Sequence, residues 1–168
     1  LQKKRLIIGG QTHSHQPESV NSVENNVQQN DHGKQPMNSN DRKYAILLEP
    51  PVGIRIVEKP ANEPLYTFCE KSCECECIEV VHPKGLKYPN TMLVDESGLL
   101  KENQVLNVLA SYLYETRKHG NPIVGKVLVV NETMTNSGID LQLLSSAEVI
   151  QLRDFLSGLI LKAANALT

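Results

Sequence analysis

The sequence predicts an α+β protein: a small mixed, mainly antiparallel sheet with one central amphipathic helix and a long C-terminal helix. Three observations carry that prediction. Apolar runs at 44–48 and 123–130 and a run rich in β-branched residues at 76–81 lie next to Pro or Gly, as strands do. Apolar residues between Val105 and Leu113 recur at helical spacing. Ser145 and Glu148 form a capping signature ahead of an apolar-periodic stretch that runs to the C-terminus.

The 168 residues suffice for one domain with its own core. Residues 1–41 open on KKRLIIGG and then run through Gln, Asn, Ser and His with almost nothing to bury, so they are expected to be a flexible polar arm ahead of a single domain at 42–168. Within the arm, Leu6, Ile7 and Ile8 are the alternative for an edge strand or docking peptide, and His13 with His15 for a weak metal clip. Leu1 in place of Met fits a fragment, a trimmed chain or a non-ATG start translated literally.

Residues 44–48 and 52–57 read as two strands joined by a Pro50-Pro51 turn. LYTFCEKS follows Pro64, which suits the first turn of a short helix. Residues 76–81 read as a strand; if it extended back, Cys73, Cys75 and Cys77 would share one face. Residues 91–94 and Leu99-Leu100 flank Asp95-Glu96-Ser97-Gly98, a hairpin candidate with Gly98 at positive φ. The central helix is expected from 102–104, with Asn103 as its N-cap and Val105, Leu106, Leu109, Ala110, Tyr112 and Leu113 on its apolar face. Arg117, Lys118 and His119 suit its last turn, and Gly120 and Pro122 stop it.

Residues 123–130 read as a strand buried on both faces, and 140–144 as a short further strand. In the final helix Val149, Leu152, Leu156, Leu159, Ala163 and Ala166 make a stripe that Ile150, Phe155 and Ile160 widen. That breadth means either deep burial within the domain or packing against a second copy, and a homo-oligomer assembled through this helix is expected.

A net charge of −2, with the excess acid after residue 41, gives no basic footprint for nucleic acid. No apolar run approaches the roughly 20 residues of a membrane span. The four cysteines crowd between Cys69 and Cys77, and no secretory signal precedes them, so a reducing cytoplasm is the expected compartment. C-x-x-x-C-x-C-x-C lacks paired C-x-x-C knuckles. Reduced thiols packing as small apolar groups are therefore expected, with no metal and no cofactor; a metal on Cys73, Cys75, Cys77 and His82, or a reactive thiol, is the alternative.

No nucleophile elbow, phosphate loop or dinucleotide fingerprint is present. Asn107, set among Leu106, Leu109 and Ala110, must find hydrogen-bond partners for a partly buried amide, either by bracing a neighbouring turn or by contacting a ligand. In the second case Asp95, Lys101, Gly120 and Gly125 are the expected neighbours.

CIEVVHPKGL, MLVDESGLLK, Asn107 with Ala110 and the Leu113-Tyr114 pair, and HGNPIVGKVLVV together resemble the bacterial and phage family called domain of unknown function 3846, over roughly residues 44–130. The resemblance carries an acidic turn at Asp95-Glu96, glycines at Gly98, Gly120 and Gly125, and a helix asparagine at Asn107. It implies a small cytosolic α+β protein of phages, plasmids and other mobile elements, with no established activity. The function expected is therefore non-catalytic binding or regulation, directed at a small molecule or protein and suited to counter-defence. The alternatives are a nucleic-acid-associated or anti-restriction protein, through Lys3, Lys4 and Arg5 or an acidic surface, and a thiol- or metal-dependent enzyme.

Overall fold

The computed structural model describes residues 42–165. The arm at 1–41, with Leu6, Ile7, Ile8, His13 and His15, lies outside the described residues, as does Ala166.

Strands β1 (Tyr44–Glu49) and β2 (Gly53–Glu58) pair antiparallel around Pro50-Pro51, as the proline punctuation predicts. Helix α1 (Leu65–Cys73) starts just after Pro64, which stands at the N-cap and not in the first turn. Strands β3 (Ile78–Val81), β4 (Asn90–Asp95), β5 (Val127–Thr135) and β6 (Gly138–Gln142) complete an antiparallel sheet in the order β2-β1-β5-β4-β3. Because β4 takes one edge of β5, β1 and β6 share the other: β1 pairs with Val127, Leu128 and Val129, and β6 with the stretch from Asn131 to Thr135. A bridge between Tyr44 and Leu144 closes the gap between them.

The sheet is covered on both faces. Ile46, Leu48, Met92, Val127 and Val129 meet Leu109, Ala110 and Leu113 of helix α2 (Val108–Leu113), together with Val149, Leu152 and Leu156 of helix α4 (Ser146–Asn165). On the other face Ala45, Leu47, Leu93, Leu128 and Val130 meet Phe68, Cys69 and Cys73 of α1. Alternate residues of Val127–Val130 therefore enter two cores, but the expected strand at 123–130 begins only at Val127, because Gly125 at φ +72° turns the chain just before it. Burying one Leu-sized side chain contributes about 1.5–3 kcal/mol, so these layers hold the sheet.

The capping box at α4 is present. Ser145 Oγ accepts from Glu148 N–H at 3.3 Å, and Ser145 N–H donates to Glu148 Oε2 at 2.8 Å. Arg42 makes two bonds to the same carboxylate, at 3.0 and 3.2 Å, tying the start of the described chain to the helix. Burial pushes the Glu148 carboxyl up, but the Ser145 and Arg42 contacts outweigh it and hold it below its usual value.

Four expectations are corrected. Leu99-Leu100 is not a strand, because Gly98–Leu100 forms a 3-10 turn and β4 pairs with β3 and β5 instead. Gly98 is not at positive φ; a Cβ there would lie 3.2 Å from Val124 Cγ2 and 3.4 Å from Asp95 Cβ, so what it provides is close approach. The central helix starts six residues later than 102: Asn103 is in the left-handed region, Leu106 bridges to Val124, and Asn107 is the cap. It is also interrupted at Glu115, whose φ of 55° separates α2 from the short α3 (Thr116–His119). Finally, Cys73 ends α1, so β3 does not extend back and the three cysteines share no strand face.

The stripe on α4 is narrower than predicted. Val149, Leu152 and Leu156 are buried and Leu159 and Ile160 partly so, whereas Ile150, Phe155, Leu161 and Ala163 are exposed.

Candidate functional site

The chemistry-bearing side chains gather where the C-terminal end of α1, the turn after β4 and the loop before α2 meet. A cleft of about 170 Å³ there is lined by residues that include Cys73, Asp95, Gln104, Gly125 and Lys126. Asp95 organises its turn: its carboxylate accepts from Ser97 N–H and Ser97 Oγ, both at 3.0 Å, and from Lys101 Nζ. Burial raises the Asp95 carboxyl, but the bonds from Lys101 and Ser97 outweigh it and hold it below its ordinary range. The same bond raises the Lys101 ammonium. The pair is an ion pair closed on itself.

Asn107, hydrogen-bonded to Gly125 of the cleft lining, is wholly buried, at 0% exposure. Its Oδ1 accepts from Ala110 N–H at 3.0 Å, and its Nδ2 donates to Leu48 O and Gly125 O, each at 3.0 Å. One amide thus caps α2, grips β1 and holds the loop at Gly125. Gly125 has φ +72° and its N–H donates to Val105 O at 2.9 Å, which places its carbonyl on Asn107. The structure therefore brings Asp95, Lys101, Asn107 and Gly125 to one end of the domain. Gly120 is elsewhere: it caps α3, is exposed and does not line the cleft.

The four thiols have four environments. Burial pushes Cys69 up to about 12. Cys73 is buried and raised by its hydrogen bond to Cys75, and its Sγ lies 3.6 Å from Leu93 O. Cys75 is half-buried and lowered, first by the hydrogen bond from Cys73 and further by Lys101, against burial and Asp95. Cys77 is exposed and raised, since its thiol donates to Glu96 Oε2 at 3.0 Å. His82 meets none of them; its Nε2 lies 2.9 Å from Glu132 Oε2. Among the described residues no three His, Cys, Asp or Glu side chains converge to hold a metal ion.

Sequence reasoning missed the exposed surface beside this end. Val105, Leu106 and Tyr112 are not on the buried face of a helix. With Leu99, Leu100 and Val108 they provide six exposed large apolar side chains between residues 99 and 112. Placing the cap at Asn107 rather than Asn103 would have revealed this, because only Leu109, Ala110 and Leu113 then face inward. The Val108 N–H donates to Pro51 O at 2.8 Å, which brings the exposed Val52 turn alongside.

The fold and this end of it define a three-layer α+β domain with a braced helix N-terminus, a small polar cleft and a neighbouring apolar surface. No family model, curated protein or solved structure matches the chain. Among the described residues no helix is long and apolar enough to cross a membrane.

Proposed function

We propose that the protein is a non-catalytic binding module that recognises a protein partner through the apolar surface between residues 99 and 112. The observation that carries this is the clustering: six of the twelve exposed large apolar side chains among the described residues fall in that one segment, with Leu100 87% and Tyr112 66% exposed. Exposed large apolar side chains concentrated in one segment are what an interaction surface supplies. A small-molecule role at the cleft near Asn107 has less support, because its 170 Å³ is well below the roughly 300 Å³ at which ligand pockets begin. The polar groups nearest the cleft also favour binding over catalysis, since Asp95, Lys101 and Asn107 spend their hydrogen bonds within the protein.

The resemblance to the domain of unknown function 3846 family supports a setting in a phage, plasmid or bacterial host, where stoichiometric capture of a host protein suits counter-defence. A second reading is self-association through α4, favoured by the exposed Ile150, Phe155 and Leu161. Ile150 and Leu161 are eleven residues, or about three turns, apart on one flank, with Phe155 on another.

The test pairs the wild-type chain with Val108→Lys/Tyr112→Lys, which leaves the buried face intact. A partner retained by the wild type from its host, purified with it at fixed stoichiometry and lost by the variant, supports the reading. Equal retention by both overturns it. Turnover of nucleotides or esters that Asn107→Ala or Cys75→Ser abolishes would replace it with an enzyme. Sedimentation separates the second reading: a dimer broken by Ile150→Lys/Leu161→Lys and not by the α2 variant assigns self-association to α4.

A further inference from the structure

The motif Cys73-Glu74-Cys75 has a use the binding surface does not absorb. We propose that Cys73 and Cys75 form a thiol–disulfide exchange site for small, positively charged disulfides, with Cys75 as the attacking sulfur and Cys73 as the resolving one.

The backbone sets the pair. α1 closes in a Schellman turn, in which Cys75 N–H donates to Glu70 O at 3.1 Å and Glu74 N–H to Lys71 O at 3.3 Å. Glu74, the residue between the thiols, has φ 55° and ψ 44°, the mirror image of helical geometry. Across one such residue the flanking Cα atoms are about 5.4 Å apart, the chord that helical rise and radius impose. Disulfides span about 4.4–6.8 Å between Cα atoms, so oxidation needs little backbone movement. Both cysteines are free, and one residue, Glu74, separates them at the end of α1.

The two sulfurs differ as an exchange site requires. Cys75 opens onto a broad surface depression of about 560 Å³, lined also by Thr67, Glu70, Lys71, Glu74 and Glu76. Cys73 does not line that depression and is buried, at 4% exposure. The groups acting on Cys75 are the Cys73 thiol and Lys101, which favour its thiolate, and Asp95 and Glu70, which oppose it. Lys71 is engaged with Glu63 at 2.6 Å and Glu74 with Lys126, so Glu70 and Glu76 leave the depression acidic. An acidic entrance enriches cationic reagents and repels anionic ones.

The chemistry balances with a disulfide such as cystamine as oxidant. The Cys75 thiolate attacks one cystamine sulfur, its S–S bond breaks, and one cysteamine leaves as thiolate. Cys73 then attacks the Cys75 sulfur of the mixed disulfide; its proton passes to the second cysteamine as that group leaves. Two protein thiols and one small disulfide become one protein disulfide and two cysteamine thiols.

The test treats the full chain with cystamine or glutathione disulfide, quenches with N-ethylmaleimide and maps the peptides without reduction. The expected product is the Cys73–Cys75 disulfide, formed about three- to tenfold faster with cystamine at low ionic strength, with the advantage shrinking as salt screens the glutamates. Cys73→Ser should stop at a cysteamine adduct on Cys75. Should that variant fail to fold, the order of N-ethylmaleimide labelling in the wild type decides the matter: Cys75 is expected ahead of the more exposed Cys77. Labelling of Cys77 first, a Cys69–Cys75 bridge, or only persistent mixed disulfides in the wild type would overturn the proposal.

Discussion

Replacing Asn107 with Ala should cost about 3–4 kcal/mol. Losing an N-cap costs about 1 kcal/mol. The Leu48 and Gly125 carbonyls each lose a buried donor at 3.0 Å, at about 1 kcal/mol apiece. The space left by the amide adds a fraction more, because the site is wholly buried. With a urea m-value of about 2 kcal/mol/M, the midpoint should fall by about 2 M. Asn107→Asp is the companion variant. It keeps the cap acceptor for Ala110 but turns a carboxylate oxygen toward two carbonyls, so its folded-state pKa must rise above the unfolded value of about 3.9. A raised folded-state pKa gives stability that is present below the unfolded value and lost as pH climbs through the folded one. The deficit of Asn107→Asp relative to wild type should therefore be smaller near about pH 4 than near about pH 7. Urea titrations followed by far-UV circular dichroism measure both. An Asn107→Ala loss below about 1 kcal/mol would refute the anchor and return Asn107 to candidate ligand contact.

Other substitutions probe the same frame. Glu74 holds a left-handed position, so Glu74→Gly should gain about 0.5 kcal/mol despite losing its exposed pair with Lys126, whereas Glu74→Ala should gain nothing; thermal unfolding ranks them. Because the Glu148 carboxyl is held below its ordinary value, its contribution is present above the unfolded pKa of about 4.3 and lost as pH falls through the folded one; Glu148→Gln should flatten that acid limb. Gly85→Ala would set a Cβ 3.0 Å from Leu113 Cα and 3.1 Å from Leu113 O, an overpacking that should cost about 1–3 kcal/mol in denaturant unfolding. Ser111 Oγ clamps Ile123 through N–H at 3.0 Å and C=O at 3.1 Å, so Ser111→Ala should speed amide exchange at Ala110 and Ser111, and unchanged exchange would count against the clamp.

What was legible in the sequence is what local physics decides. Pro50-Pro51 forces a turn, the apolar run at 127–130 must be buried on both sides, and the Ser145–Glu148 box can close only at a helix start. What was not legible depends on distant partners. Leu99-Leu100 has strand composition, but β3 already occupies the edge of β4 that a hairpin would need. Val105 and Leu106 fit a helical wheel, yet the Leu106–Val124 bridge draws that backbone out of the helix. The cysteine spacing suggested one strand face because nothing local announces that a non-glycine residue, Glu74, will take the left-handed cap. At the site, Asn107 stood out as a polar residue among apolar neighbours. Its partners Leu48 and Gly125 could not be named, since they are main-chain carbonyls that any residue could supply.

The anchor and the apolar surface are two sides of one short helix. α2 has only six residues, far fewer than the 12–15 or so that make an isolated helix even marginal in water, so its geometry must come from outside. Asn107 fixes its start, the Ser111–Ile123 clamp its middle, and the bond from Gly85 N–H to Leu113 O, at 2.9 Å, its end. Together they hold the helix and leave Val108 and Tyr112 exposed, one turn apart. Under the proposed function, a partner meeting that pair meets side chains on a backbone already held, and the ordering cost that weakens recognition by flexible segments falls on folding, not on binding. The buried amide then matters to recognition without touching the partner: loosening it should weaken binding by shifting α2, even with every surface residue unchanged.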